Sequence, residues 1–317
     1  MKKPFIFLAL ILSFYQLYSQ FIYERYDSAQ VNINGRALNF PFVGGMNAPQ
    51  FSEIDLNQDG IMDLLVFDRS GDRVMTFINE GISDSVSYLY RPEYESTFPE
   101  ARDFLLAVDY NCDGRSDLFS RRTGIIAYTN TTTNNQLSFS SRIKVTSNYR
   151  PNSDIIYSKS PSLPGFNDID NDGDIDIIVP EGFTGQMFEY HKNLSMENNN
   201  NCGLVYERRS KCWGKVTESN SNATIYLDSC RFPDYEDSEL EGRTKNNGNL
   251  NKSTKHGDAS IALFDLDKNG SMDMVLGDDG SSRLSALYNE DSVAPHTNSF
   301  FNSYDTLFPN YDQSVDL

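Results

Sequence analysis

The sequence predicts an all-β fold assembled from a repeated unit of short strands. Short apolar runs alternate with Asn, Asp, Ser and Gly along the 317 residues, which is typical of strands joined by turns. Aromatic content is high, with 18 Tyr and 21 Phe. No clear stretch keeps apolar residues at positions i, i+3, i+4 and i+7 over three helical turns, so long amphipathic helices are not expected.

An acidic turn of nine residues marks the repeat. "DLNQDGIMD" begins at Asp55, and the same pattern returns as "DYNCDGRSD" from Asp109, "DIDNDGDID" from Asp168 and "DLDKNGSMD" from Asp265. Each copy has Asp or Asn at positions 1, 3 and 5, Gly at position 6 and Asp at position 9. Four copies in one chain indicate a repeated structural unit.

The residues around each turn complete the unit. A short apolar run precedes the turn, a second follows it, and a third ends in an aromatic residue and soon an Asn. Strand, acidic turn, strand, glycine turn and strand form a β-meander. A period of roughly 50–60 residues with four short strands is typical of radial β architectures, so each unit is predicted to be a propeller blade. The glycine turns are placed at Gly71, Gly124, Gly182 and Gly280, and the aromatic and Asn pairs are Phe77 and Asn79, Tyr128 and Asn130, Tyr190 and Asn193, and Tyr288 and Asn289.

The gap between the third and fourth turns is longer, which predicts an insertion at about 195–255. It contains three cysteines, Trp213 and the polar run "EDSELEGRTKNNGNLNKSTKHGD", interpreted as a mobile loop, with a binding loop as the alternative. After Asn289 the sequence reads like the start of a fifth unit. We therefore expect four blades and the beginning of a fifth from a larger ring of about seven blades, truncated at the C-terminus.

The chemistry of the acidic turns favours calcium. Asp and Asn at alternating positions place oxygen atoms on one side of a tight loop, and Gly at position 6 allows the carbonyl of position 7 to point inward. Hard oxygen ligands without His or Cys suit Ca²⁺, about four ions in all. An EF-hand is the competing reading, but position 12 is Val66, Ser120, Val179 or Leu276 where an acid is required. The predicted ligands are Asp55, Asn57, Asp59, the carbonyl of Ile61 and Asp63; Asp109, Asn111, Asp113, the carbonyl of Arg115 and Asp117; Asp168, Asp170, Asp172, the carbonyl of Asp174 and Asp176; and Asp265, Asp267, Asn269, the carbonyl of Ser271 and Asp273.

The net charge and the N-terminal sequence indicate the partners and the cellular location of the protein. The formal net charge is −18, with 45 acidic against 27 basic residues, which disfavours nucleic acid and anionic membranes as partners. "MKKPFIFLALILSFYQLYSQ" predicts a signal peptide over 1–19, cleaved near Ser19 and Gln20, with the propeller over 20–317. No other long apolar run exists, so no integral membrane span is predicted. The chain is expected to be secreted or displayed at the cell surface.

Four cysteines are consistent with export, because oxidising conditions favour disulfides. Cys212 and Cys230 flank two short predicted strands around a polar turn, so they are the preferred pair. One or more cysteines remaining free is the alternative. A zinc site is disfavoured, because no CxxC occurs and His191, His256 and His296 are the only histidines.

The four turns, each between strands at blade spacing, resemble the FG-GAP or VCBS repeats of integrin-α-like β-propellers. The segments "CWG", "LDSC" and "HGDASIALFDLDKNG" are similar to secreted bacterial members. The resemblance covers about 40–289 and implies a propeller, commonly of seven blades, with calcium on one rim. The name-giving FG and GAP segments are poorly kept, "FVGGMNAPQF" from Phe42 being the nearest trace.

Three functions follow as hypotheses. The turns are first expected to stiffen the fold, with an ion that contacts a ligand as the alternative. An extracellular binding or adhesion scaffold for a protein or glycan fits an exported, repeat-built chain. A polysaccharide lyase or hydrolase on a propeller is the alternative, but no GxSxG, HExxH or phosphate loop is present, and no catalytic residue is assigned.

Overall fold

The computed structural model describes residues 29–182, 185–219, 224–230, 259–278, 281–290 and 299–309. The chain divides into two units, 1–45 and 46–317. The described part of the first unit contains an exposed hairpin of β1 (Asn32–Ile33) and β2 (Arg36–Ala37). The second unit contains four sheets arranged like the blades of a four-bladed propeller. The prediction of an all-β fold with one blade for each acidic turn is confirmed.

The first two blades are antiparallel meanders with their strands in sequence order. Blade 1 consists of β3 (Pro49–Ile54), β4 (Asp63–Asp68), β5 (Arg73–Asn79) and β6 (Tyr88–Tyr90), followed by a 3-10 helix (Pro92–Thr97). Blade 2 consists of β7 (Leu105–Val108), β8 (Asp117–Arg121), β9 (Ile125–Tyr128) and β10 (Ile143–Lys144).

Blade 3 is extended by two strands that precede it in the chain. Its sheet has the order β12-β11-β16-β15-β14-β13, and β11 runs parallel to β16. A short helix α1 connects β15 to β16. The elements are β11 (Thr146–Asn148), β12 (Ser153–Ile155), β13 (Gly165–Asn167), β14 (Asp176–Pro180), β15 (Phe188–Asn193), α1 (Ser195–Asn199) and β16 (Tyr206–Ser210).

Blade 4 repeats the simple meander after a small separate hairpin. The hairpin pairs β17 (Val216–Glu218) with β18 (Ile225–Leu227). The blade itself consists of β19 (Ala259–Phe264), β20 (Asp273–Asp278), β21 (Leu284–Asn289) and β22 (Phe301–Phe308).

The second strand of each blade is largely buried. β14 reads "DIIVP" and all five of its residues are buried, and in β4 and β20 a similar apolar run follows the first Asp. Strands buried on both faces lose the alternation of polar and apolar residues and become continuously apolar. These runs directly follow the acidic turns, so burial of the strand also fixes where each turn begins and ends.

Successive blades pack face to face through three apolar clusters. β3 and β7 also meet through side chains, since Gln50 Oε1 accepts the Leu105 N–H at 3.2 Å and Ser52 Oγ accepts the Ala107 N–H at 3.2 Å. The segment before β13 bridges to β19, with Leu163 N–H donating to the Ala259 carbonyl at 2.9 Å. The largest fully buried side chains include Phe67 and Leu105 between blades 1 and 2, Phe104 and Phe119 between blades 2 and 3, and Phe188 and Phe301 between blades 3 and 4.

The predicted insertion begins later than its proposed start. Residues from 195 contain α1 and then β16, which pairs with β15 as the fourth strand of the blade 3 meander, so this part belongs to the blade. β16 was not predicted, because the segment before it is rich in Asn and the strand itself, "YERRS", is not an apolar run. The segment after Asn289, predicted to begin a fifth blade, instead supplies β22, the fourth strand of blade 4. Six predicted features lie outside the described residues: the polar run 236–258, the signal peptide 1–19, Gly280, His256, His296 and the end of the predicted fifth unit at 310–317.

Candidate metal-binding turns

All four acidic turns occupy the same place in their blades. Each connects the first strand of the blade to the second, and the Asp at position 9 is the first residue of that second strand. The connections are β3 to β4, β7 to β8, β13 to β14 and β19 to β20. Equivalent connections lie at the same edge of each sheet, so the turns form one repeated feature.

The backbone of each turn has two left-handed residues. Position 4 has φ between 58° and 64° (Gln58, Cys112, Asn171 and Lys268), and the glycine at position 6 has φ between 83° and 100°. A Cβ atom added at any of these four glycines would meet nothing within 4 Å. Glycine is therefore favoured by the backbone conformation and not by a lack of space.

The Asp at position 1 organises the loop through both carboxylate oxygens. In blade 1, Asp55 Oδ1 accepts the Asp59 N–H at 3.2 Å and Asp55 Oδ2 accepts the Gly60 N–H at 3.0 Å. The same pair of bonds forms at Asp109, Asp168 and Asp265, with distances of 2.8 to 3.2 Å. Each oxygen keeps a further lone pair, so these bonds leave room for a cation.

The Asp at position 9 links the turn to the third strand. In blade 2, Asp117 Oδ2 accepts the Tyr110 N–H at 3.3 Å, and Asp117 Oδ1 accepts the Asn130 N–H at 2.7 Å. Asn130 in turn donates its Nδ2 to the Ser116 carbonyl at 3.0 Å. The recurring Asn of the sequence therefore connects the third strand to the turn by two hydrogen bonds. Asn79, Asn193 and Asn289 make the same bonds in the other blades.

These position-9 carboxylates are deeply buried. Burial raises the pKa of Asp117 to about 6, against the lowering effect of the backbone N–H groups of Asn130 and Tyr110. Burial also raises the pKa of Asp63 and Asp273, and raises that of Asp176 most strongly. A nearby cation would favour the ionised form of each carboxylate.

Two turns bring three carboxylates within reach of a single ion. Positions 1, 3 and 9 converge in blade 3 (Asp168, Asp170, Asp176) and in blade 4 (Asp265, Asp267, Asp273), with one oxygen of each residue within 4.8 Å of the others. In blades 1 and 2, position 3 is Asn57 or Asn111, whose amide oxygen is an equally suitable ligand for a hard cation. These donor sets fit calcium.

The third turn also contains a cation of the protein itself. The Lys192 ammonium donates to Asp170 Oδ2, lies 3.1 Å from Asp172 Oδ2 and 2.7 Å from Glu197 Oε1. Oδ1 of position 3 accepts the N–H of position 5 in the other three turns, but Asp170 Oδ1 is buried without a partner. A buried carboxylate oxygen without a hydrogen-bond partner is a suitable ligand for a cation. Lys192 and Glu197 were not predicted from the sequence, because neither belongs to the turn.

A disulfide fixes the second turn to the third blade. Cys112, at position 4 of the second turn, is bonded to Cys202, which follows α1. Both sulfur atoms lie near the Gly173 carbonyl of the third turn, at 3.7 and 3.5 Å. Cys212 is bonded to Cys230, the pair preferred from the sequence, and no cysteine is free.

The other residues considered from the sequence are structural or outside the turns. Trp213 is 3% exposed and packs edge-on against Phe301, with ring centroids 5.0 Å apart, so it belongs to the apolar core. His191 is fully buried in β15. The roles of the four position-7 carbonyls stay predictions.

Comparisons with known proteins do not assign the chain to a family. No protein-family model matches it, and no curated protein does. Among the described residues, no helix has both the length and the apolarity needed to cross a membrane. Two disulfides indicate an oxidising, extracellular type of environment.

Proposed function

We propose that this protein is a calcium-stiffened β-propeller of the FG-GAP or VCBS type that serves as an extracellular binding scaffold. The observation that carries the proposal is the fourfold recurrence of one turn with the same backbone, the same hydrogen bonds to the position-1 Asp and oxygen donors at the same positions. The four described sheets are proposed to be blades of a larger ring of about seven.

Calcium in this proposal closes each hairpin. Side chains at positions 1, 3, 5 and 9, with the position-7 carbonyl, would hold the ion between the first and second strands of the blade. Without a cation, three or four carboxylates within a few ångströms repel one another, and the turn loosens. The ion therefore stabilises the rim from which surrounding loops are displayed.

A binding role is favoured over catalysis because the carboxylates of the turns accept hydrogen bonds from their own blade. Both oxygens of positions 1 and 9 are already bonded to backbone N–H groups of the same blade. Such carboxylates are held in place and suit ion coordination better than proton transfer to a substrate.

Metal analysis and thermal unfolding of the exported chain test the proposal. We expect about four calcium ions per chain, and a melting temperature that falls by several degrees after chelation and returns with calcium. Magnesium is the control, because its small octahedral shell fits these five-donor loops poorly. A chain that binds no ion and melts at the same temperature in chelator would contradict the calcium role.

A further inference from the structure

Blade 3 has polar side chains at positions where the other blades are mostly apolar. Glu189 and His191 of β15 pair with Val179 and Ile177 of β14. At the register position of His191, the other blades have Phe77, Tyr128 and Leu287, and at that of Glu189 they have Met75, Ile126 and Ser285. The fold therefore does not require His and Glu here, and burying them costs free energy.

These two residues belong to a connected polar network. His191 Nδ1 and Ser147 Oγ are 2.9 Å apart, and His191 Nε2 lies 3.5 Å from Glu189 Oε2. Glu189 Oε1 accepts from Arg208 Nη1 at 3.1 Å, and the Arg208 guanidinium lies 4.6 Å from the ring centroid of Tyr149. The network thus connects five side chains, four of them on β11, β15 and β16 and the fifth, Tyr149, directly after β11.

The charge state of the network is also defined. Burial lowers the pKa of His191, so its ring is neutral near pH 7. Burial alone would raise the pKa of Glu189, but the nearby His191 ring and the charge of Arg208 hold it below the usual value. Glu189 is therefore an ionised acceptor, and Arg208 is a fixed donor beside it.

Glu189 and Arg208 form one wall of an open cavity of about 510 Å³. β12 and its flanking residues also line the cavity, including Asn152, Asp154 and Tyr157. Tyr157 is 48% exposed, and a Cβ atom at Gly182 would lie 3.0 Å from its ring, so the absence of a side chain at Gly182 lets the ring pack closely there. The volume is in the range of small-molecule sites.

We propose that this cavity binds a neutral or amino sugar. Carboxylates accept hydrogen bonds from hydroxyl groups, Asn152 both donates and accepts, and Arg208 donates. The exposed ring of Tyr157 offers an apolar face with a polar tip, which suits the C–H face of a pyranose. The net charge of −18 disfavours anionic glycans.

This inference names the ligand class for the proposed binding scaffold and rests on that part of the proposed function, but not on calcium. Among the four described blades, blade 3 alone has six strands instead of four, and the two additional strands, β11 and β12, lie beside the cavity. The added strands and the polar network occur together in one blade, which is the arrangement expected of a ligand site built onto a repeat.

Saturation-transfer NMR on the full exported chain tests the site. The probes are glucose, galactose, mannose, N-acetylglucosamine and glucosamine at millimolar concentration. We expect saturation transfer to at least one of them and a dissociation constant raised roughly tenfold by Tyr157→Ala. Asn152→Ala is the second variant, because the Asn152 side chain is exposed and its removal is expected to leave the fold unchanged.

Tyr304→Ala is the matched control, because Tyr304 is 41% exposed on β22 of another blade. It should bind like the wild type. No saturation transfer to any of the five sugars would overturn the proposal, as would unchanged binding in both Tyr157→Ala and Asn152→Ala.

Parallel metal analysis separates the two proposals. Bound calcium without sugar binding would reject the sugar site and leave the calcium role intact. Sugar binding that depends on Tyr157 in a chain without bound ions would reject the calcium role alone.

Discussion

At the residue scale, the turn is a set of side chains that each satisfy a backbone requirement. Asp at position 1 accepts two N–H groups, Gly60 and its counterparts adopt positive φ, and Asp at position 9 accepts two more N–H groups. These are local roles within nine residues and the adjoining strand. Their spacing therefore identified them in the sequence as soon as the copies were aligned.

Glu218 shows the opposite case, a buried acid whose environment depends on other elements. It lies on β17 and is 5% exposed. Burial, with a smaller contribution from Asp278, raises the pKa of its carboxyl to about 8. Nothing in "VTES" distinguishes this Glu from an exposed one.

The raised pKa predicts a pH-dependent stability. Between about pH 4.5 and 8 the folded protein keeps the Glu218 proton while the unfolded chain releases it, so the free energy of unfolding falls as pH rises. Glu218→Gln should remove this fall. The variant is expected to match the wild type near pH 4.5 and to exceed it by on the order of a few kcal/mol at pH 8.

Urea unfolding of both proteins at the two pH values checks this prediction. Glu93→Gln, at an exposed position, is the control and should leave the pH dependence unchanged. An equal fall of stability with pH in Glu218→Gln and wild type would show that Glu218 is not the responsible group.

At the element scale, the third strand of each blade is the partner of its acidic turn. The Asn at or just after the end of this strand latches the turn in all four blades. The residue before this Asn is Ile78, Thr129, Lys192 or Tyr288. Only in blade 3 is this residue positively charged, and two additional acidic residues, Asp174 and Glu197, lie at the same turn.

Lys192→Met should destabilise the protein in chelator. Asp170 is almost fully buried, and removing its partner leaves an uncompensated charge, so we expect a loss of about 3–5 kcal/mol. Calcium should restore part of this loss by supplying another cation to the same carboxylate.

Urea unfolding with chelator and then with calcium measures both effects. Lys192→Arg keeps the charge and is the control, expected to lose less than Lys192→Met. Equal stability of Lys192→Met and wild type in chelator would mean that Lys192 does not neutralise the turn.

At the scale of the whole molecule, the blades are joined by apolar clusters and one long-range disulfide. Cys112 and Cys202 are 90 residues apart and connect blades 2 and 3, whereas Cys212 and Cys230 are 18 residues apart and close a local loop. Closing a longer loop removes more conformational entropy from the unfolded chain.

Removal of the two disulfides should therefore have unequal effects. Replacing Cys112 and Cys202 together by Ala is expected to cost about 4–5 kcal/mol, and replacing Cys212 and Cys230 about 3 kcal/mol. Urea unfolding of the two double variants under oxidising conditions measures the difference, and the wild type with both disulfides is the reference. A larger loss for the Cys212 and Cys230 variant would contradict the loop-length argument.

The sequence by itself determined the all-β class, the blade unit and the candidate ligands of the four turns. Each of these depends on contacts within a few residues or on a period that repeats along the chain. The preferred pairing of Cys212 with Cys230 belongs here too, because only a short predicted hairpin separates them.

Only the tertiary structure decided which distant residues reach each site. Lys192 and Glu197 join the third turn, Cys202 is bonded to Cys112, and β11 and β12 extend the sheet of blade 3 beside Glu189 and Arg208. These contacts join residues that are tens of positions apart or lie on different elements. Their formation depends on the packing of whole strands, and no local pattern of side chains specifies that packing.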